Sequence, residues 1–133
     1  MMAGFCPEYF RAIGAFVPIT DLKLWKNQNP NYSGCVNACC SNDEKEMAER
    51  SPINYIDMIA KANLKIFHGK FDPIVPFTQS IDLYNRIIEK YPDCRVFLDI
   101  FDGGHDMNLD TAFEWLMSQM AEKTDVEKDM LTG

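Results

Sequence analysis

The second half of the chain alternates short apolar runs with helical stretches, and that order admits few folds. Leu64-Lys65-Ile66-Phe67 reads as a strand stopped by His68-Gly69. Residues 77–91 then place Phe77, Ile81, Tyr84, Ile88 and Tyr91 on one face, at i, i+4, i+7, i+11 and i+14. That spacing predicts an amphipathic helix. Arg95 to Phe101 reads as a further strand with Val96, Leu98 and Ile100 on one side. Asn108 or Asp110 starts a last helix, expected to turn Leu109, Phe113, Leu116 and Met120 inward. Upstream, the continuously apolar run Ala12–Val17 ends at Pro18, which suits a strand buried on both faces. Strands separated by helices pair in parallel through right-handed crossovers, which is an α/β layer architecture. About three strands are fewer than the roughly 5–6 of a mean sheet. The expectation is a partial sheet of parallel strands with flanking helices.

The stretch from Thr20 to Tyr55 interrupts this rhythm and is read as an irregular, cap-like insert over residues 20–55. Asn27 to Asn42 is rich in Asn, Ser, Gly and Cys and reads as loop. Asn42 and Asp43 can cap a short charged helix from Glu44 to Arg50, and Ser51-Pro52 restarts a turn or helix. Residues 1–6 resemble the tail of a helix, and Glu122 to Gly133 is polar and expected to fray. One domain over residues 1–122 with a tail at 123–133 is the resulting division.

Charge and cysteine usage exclude several function classes. The net charge is −7, with thirteen basic residues scattered among twenty acidic ones. Nucleic-acid binding requires a basic face, so no nucleic-acid partner is expected, and no anionic membrane surface either. No stretch approaches the roughly 18 apolar residues of a membrane span, and the first ten residues lack the pattern of a signal peptide. Cys6, Cys35, Cys39, Cys40 and Cys94 make an odd set with adjacent members, a poor disulfide framework. Reduced thiols in a cytoplasmic protein are the expectation. Cys35, Cys39 and Cys40 lack the paired spacing of a zinc site, so no metal and no cofactor is expected.

Two loops carry the chemistry, each following a strand at its C-terminal end, where α/β sheets place their sites. The first is His68-Gly69-Lys70-Phe71-Asp72-Pro73-Ile74-Val75-Pro76, and the second is Phe101-Asp102-Gly103-Gly104-His105-Asp106-Met107. Pro73 and Pro76 restrict the backbone around Asp72, and Gly103-Gly104 allows an unusual turn that projects His105 over the sheet edge. If the two strands are neighbours, Asp72 and His105 meet. A carboxylate then fixes the imidazole tautomer and stabilises the imidazolium, and the second ring nitrogen is left as a general base.

The motifs HGKFDPIVP and GGHDM resemble the end of α/β hydrolases of the prolyl oligopeptidase and dienelactone-hydrolase-like group. PEYFRAIGAFVPITDL is similar to the strand region that follows the nucleophile helix in that group. The resemblance runs over roughly residues 1–120 and implies a serine hydrolase, peptidase or esterase, acting on a small-molecule ester or peptide. It implies Asp72 as the triad acid and His105 as the triad base. The Gly-x-Ser-x-Gly elbow of the nucleophile is absent: Ser33, Ser41, Ser51, Ser80 and Ser118 all lack it. The family order of serine, acid and histidine puts that elbow upstream of Met1, so this chain by itself is expected to be inactive.

Other residues have simpler readings. His68 reads as a structural residue at the strand end. Asp102 and Asp106 flank His105 as weaker competitors for its nitrogen. Trp25 and Tyr32 either line a substrate pocket or pack the insert. A rival to the enzyme reading is a non-catalytic, self-associating interaction module. Without a neighbour, the run Ala12–Val17 presents an apolar strand edge, which implies a homodimer or a complex with the missing N-terminal half.

Overall fold

The computed structural model describes residues 6–132, with side chains described as far as residue 121. The expected helix tail at residues 1–6 therefore lies almost wholly outside the described residues. After a 3-10 turn at Pro7–Tyr9 come β1 (Ile13–Phe16), α1 (Leu22–Gln28), α2 (Ser33–Cys39), α3 (Glu44–Glu49) and α4 (Ile56–Ile59). They are followed by β2 (Leu64–Gly69), α5 (Thr78–Lys90), β3 (Val96–Phe101) and α6 (Leu109–Thr132). The strands form one three-stranded sheet in the order β1-β2-β3. Both pairings are parallel: Ile13 lies opposite Leu64 and Phe16 opposite Phe67, while Leu64 lies opposite Val96 and Gly69 opposite Phe101.

The central strand β2 is covered on both faces. Ile53, Ile59, Ala62, Leu64, Ile66, Leu83, Ile87 and Val96 form one buried cluster against it. β2 runs two residues beyond the expected stop, because His68 and Gly69 continue the ladder opposite Ile100 and Phe101. A histidine is tolerated there because both of its ring nitrogens are hydrogen-bonded.

Three expectations are corrected. The segment Asn27–Asn42, read as loop, contains the end of α1, a 3-10 turn and all of α2. Its Asn, Ser, Gly and Cys residues are weak helix formers, so tertiary packing supplies the stability. Trp25, Val36, Cys40, Met47 and Val75 form a second buried cluster. Asp21 and Asp43 cap α1 and α3 by accepting from the backbone N–H of Leu24 and Lys45. Ser41 and Asn42, at φ 51 and 53, turn the chain between α2 and α3.

The buried face of α5 is centred on Gln79, Ser80, Leu83 and Ile87, not on the stripe through Ile81 and Ile88. Two polar side chains displace the apolar stripe. Gln79 Oε1 accepts from the backbone N–H of Thr20 at 3.0 Å and of Asp21 at 2.8 Å, tying α5 to the start of the insert. Ser80 meets His68.

The apolar stripe of α6 does not face inward either. Of the expected residues Leu109, Phe113 and Met120 are exposed and Leu116 is half-buried, whereas Ala112 is buried. Trp115 packs edge-on against Phe97 with ring centroids 6.3 Å apart. Gln119 anchors the same face by accepting from Asn63 and Arg95.

Candidate active site

The site begins with the way β2 and β3 end together. Beyond the ladder, Lys70 N–H donates to the Phe101 carbonyl at 2.9 Å and Phe71 N–H to that of Gly103 at 2.9 Å. The loops after the two strands are therefore zipped side by side. Gly69 permits this closeness: an added Cβ would lie 2.5 Å from the Gly103 carbonyl oxygen and 2.8 Å from its carbon, and would strike the Gly104 oxygen harder still. The expected unusual turn at Gly103-Gly104 is absent, since no described glycine has positive φ. The glycines serve close approach instead. A Cβ on Gly103 would sit 2.6 Å from the Phe101 ring, while Gly104 has open space around it.

Asp72 folds back on its own loop. Its Oδ1 accepts from the backbone N–H of Ile74 at 2.8 Å and of Val75 at 2.9 Å. That turn is what an Asp before a Pro supplies when its side chain bonds the backbone two residues on. Oδ2 points the other way and lies 2.9 Å from Nδ1 of His105. The carboxylate side chain is fully buried, while the His105 side chain is 39% exposed. Burial raises the Asp72 pKa, but the N–H groups of Val75 and Ile74 and then His105 outweigh it, so the net shift is downward. The ionised carboxylate is an acceptor only, so the shared proton resides on Nδ1. Nε2 of His105 has no hydrogen-bond partner among the described residues.

Of the three carboxylates in these loops, Asp72 is the one that meets His105. Asp106 turns its Oδ1 to the N–H of Met107, and Asp102 is exposed. His68 is fully buried, with Nδ1 2.6 Å from Ser80 Oγ and Nε2 2.8 Å from the Val75 carbonyl. Burial leads its pKa shift and pushes it below the ordinary histidine value. Trp25 is packing: it is 7% exposed, lies against Tyr32 with the two rings tilted by 33°, and donates its indole N–H to the Ile74 carbonyl at 2.9 Å. Asn29 donates to the same carbonyl, so α1 braces the loop that carries Asp72. Sequence reasoning missed this brace. The only signal for it was a Trp with no apolar periodicity around it. No group of three or more metal-ligating side chains is poised to hold an ion among the described residues.

Comparison with known proteins gives the family. A family profile described as BD-FAE matches residues 8–87, more than half of the chain. The chain belongs to the BD-FAE family. That places it among the α/β hydrolases. The BD-FAE match includes Asp72 and ends before the loop of His105. Among solved structures, the chain is similar to a puromycin-hydrolyzing peptidase of Mycobacterium tuberculosis, with 20% identity and a TM-score of 0.68. The likeness covers 79% of this chain but 16% of that one, so the chain spans under a fifth of that peptidase. At such identity the likeness establishes the fold: a partial α/β-hydrolase sheet of three parallel strands with flanking helices. No curated protein matches the chain. Among the described residues no helix is long and apolar enough to cross a membrane.

Proposed function

We propose that this BD-FAE chain is the C-terminal portion of a serine hydrolase of esterase or peptidase type, contributing Asp72 as triad acid and His105 as triad base. One observation carries the reading: the 2.9 Å bond between a buried carboxylate and a half-exposed imidazole at the C-terminal end of parallel strands. Asp72 orients the ring and stabilises the imidazolium. Nε2 of His105 takes the proton of a serine hydroxyl as that oxygen attacks the substrate carbonyl, and returns it to the leaving group. The serine and the oxyanion donors come from outside these residues. The substrate is a small ester or peptide.

The test starts with the coding sequence upstream of Met1, read for an in-frame Gly-x-Ser-x-Gly. The extended product and its His105→Ala variant are then assayed with a fluorophosphonate probe and a 4-nitrophenyl ester. Labelling of the extended protein is expected, with hydrolysis falling by about 10⁴-fold or more in the variant. The 133-residue chain alone stays unlabelled. Stoichiometric labelling of that chain, or undiminished hydrolysis by the variant, overturns the reading.

A second reading is favoured by a separate observation. Among the described residues β1 is an edge strand, paired only with β2, and beside it a groove is lined by Arg11, Ala12, Phe113, Leu116, Met117 and Met120. Exposed Phe113, Met117 and Met120 on one helix are the kind of patch that soluble monomers cover. On this reading the chain self-associates through β1 and α6 as a non-catalytic module. Sedimentation at micromolar concentration is then expected to show a dimer that Phe113→Asp dissociates. A monomer across that range counts against it.

A further inference from the structure

The ring of His68 touches three parts of the frame around Asp72. Nε2 lies 2.8 Å from the Val75 carbonyl oxygen and 3.4 Å from Oδ2 of Asp72. Both are acceptors, so Nε2 must carry the proton. Nδ1, 2.6 Å from Ser80 Oγ, then accepts from the hydroxyl. The surroundings thus select one neutral tautomer.

Val75 makes the arrangement consequential. Its carbonyl is held by His68, and its N–H holds Oδ1 of Asp72 at 2.9 Å. A continuous set of hydrogen bonds therefore runs from Ser80 on α5, through His68 on β2, to Val75 and Asp72, and ends at His105 after β3. The direct contact of Nε2 with Oδ2 is longer and adds to the same end.

We infer that His68 is a positioning residue for the Asp72–His105 pair: its Nε2–H steadies the Asp72 carboxylate, directly and through Val75, so that Oδ2 stays aimed at Nδ1 of His105. This rests on the reading of Asp72 and His105 as acid and base. A residue that merely fills space needs only its volume. A positioning residue needs the donor at Nε2.

The two cases separate by histidine tautomer. The chain has two histidines, so ¹H–¹⁵N spectra through two bonds resolve which nitrogen of each ring is protonated. At about pH 8, where neutral rings prevail, wild type is expected to show Nε2–H at His68 and Nδ1–H at His105. His68→Leu fills the space without a donor, and His68→Gln keeps an N–H near the Nε2 position. The Nδ1–H to Nε2–H ratio of His105 is expected to fall about tenfold in His68→Leu, the scale of a lost bond to a charged group. In His68→Gln it stays within about twofold of wild type, because the donor remains. An unchanged ratio in folded His68→Leu overturns the inference. If that variant does not fold, the other measurements decide. Nε2–H at wild-type His68 with a retained ratio in His68→Gln supports it, and a proton on Nδ1 of His68 or a tenfold fall in folded His68→Gln overturns it. Wild-type His105 without Nδ1–H instead removes the acid–base pair itself, before any variant is made.

Discussion

Gly69→Ala is expected to destabilise the fold by about 3 kcal/mol or more, while Gly104→Ala stays within about 0.5 kcal/mol. The contrast follows from where a Cβ would go. At Gly69 it meets the backbone of Gly103 and Gly104, and backbone cannot rotate aside as a side chain can. To make room, the two loops must part, which breaks the bonds from Lys70 to Phe101 and from Phe71 to Gly103. Those bonds keep Asp72 and His105 in register, so the variant also loosens the pair. At Gly104 nothing lies within 4 Å of the added carbon, and its φ is not positive, so neither sterics nor backbone strain opposes the change. Equilibrium unfolding in urea reads both effects, provided the slope m is the same for each protein. A Gly69→Ala midpoint equal to wild type would show that the loops do not approach as closely as the structure has them.

The order of strands and helices from Leu64 onward was legible because each element follows its own period. Parallel pairing then followed from the connections. The pairing of Asp72 with His105 was legible for the same reason: neighbouring parallel strands end at the same level, so the loops after them meet. Within the insert the short charged helix at Glu44 was legible through its cap at Asp43, whereas α1 and α2 were not. These two are 7 residues long each, too short for periodicity to register. They are stabilised by Trp25, Val36, Cys40 and Met47 packing on Val75, which lies far away in sequence. The true inward face of α5 was hidden because it is half polar. Gln79 and Ser80 are buried by virtue of partners at Thr20 and His68, and no local pattern marks a polar residue as satisfied. α6 failed in the opposite direction. Its stripe of Leu109, Phe113, Leu116 and Met120 has the spacing of a buried face, yet Leu109, Phe113 and Met120 are exposed and Leu116 is half-buried. Periodicity reports that a face is apolar, not that its partner lies on the same chain.

Asp72→Ala is expected to cost about 3 kcal/mol, and Asp72→Asn about 1–2 kcal/mol, and the difference between them isolates what the carboxylate does. Alanine leaves the N–H groups of Ile74 and Val75 without their acceptor, at a site where Val75 is 1% exposed. Asparagine can still accept both through its carbonyl oxygen. It then turns its NH₂ toward His105 and toward the Nε2–H of His68, where donor faces donor at 3.4 Å. His105 must respond by accepting at Nδ1, which moves its proton to Nε2 and removes the lone pair a general base needs. Asparagine therefore keeps most of the fold while reversing the tautomer, which histidine ¹⁵N shifts detect directly. The pH dependence supplies a second check. The native pKa of Asp72 lies below its ordinary value, so its contribution is complete above about pH 4 and is lost as pH falls through the native value. His68, also shifted down, makes stability fall already below about pH 6.5, because the unfolded ring takes up a proton that the buried ring resists. That first decline is expected in both wild type and Asp72→Asn, since both retain His68. The gap between the two proteins should not narrow through it, because the Asp72 carboxylate favours the protonated form of His68 in wild type alone, and should narrow only below about pH 4. A gap that closes near pH 6 would assign the stabilisation to the histidines rather than to the carboxylate.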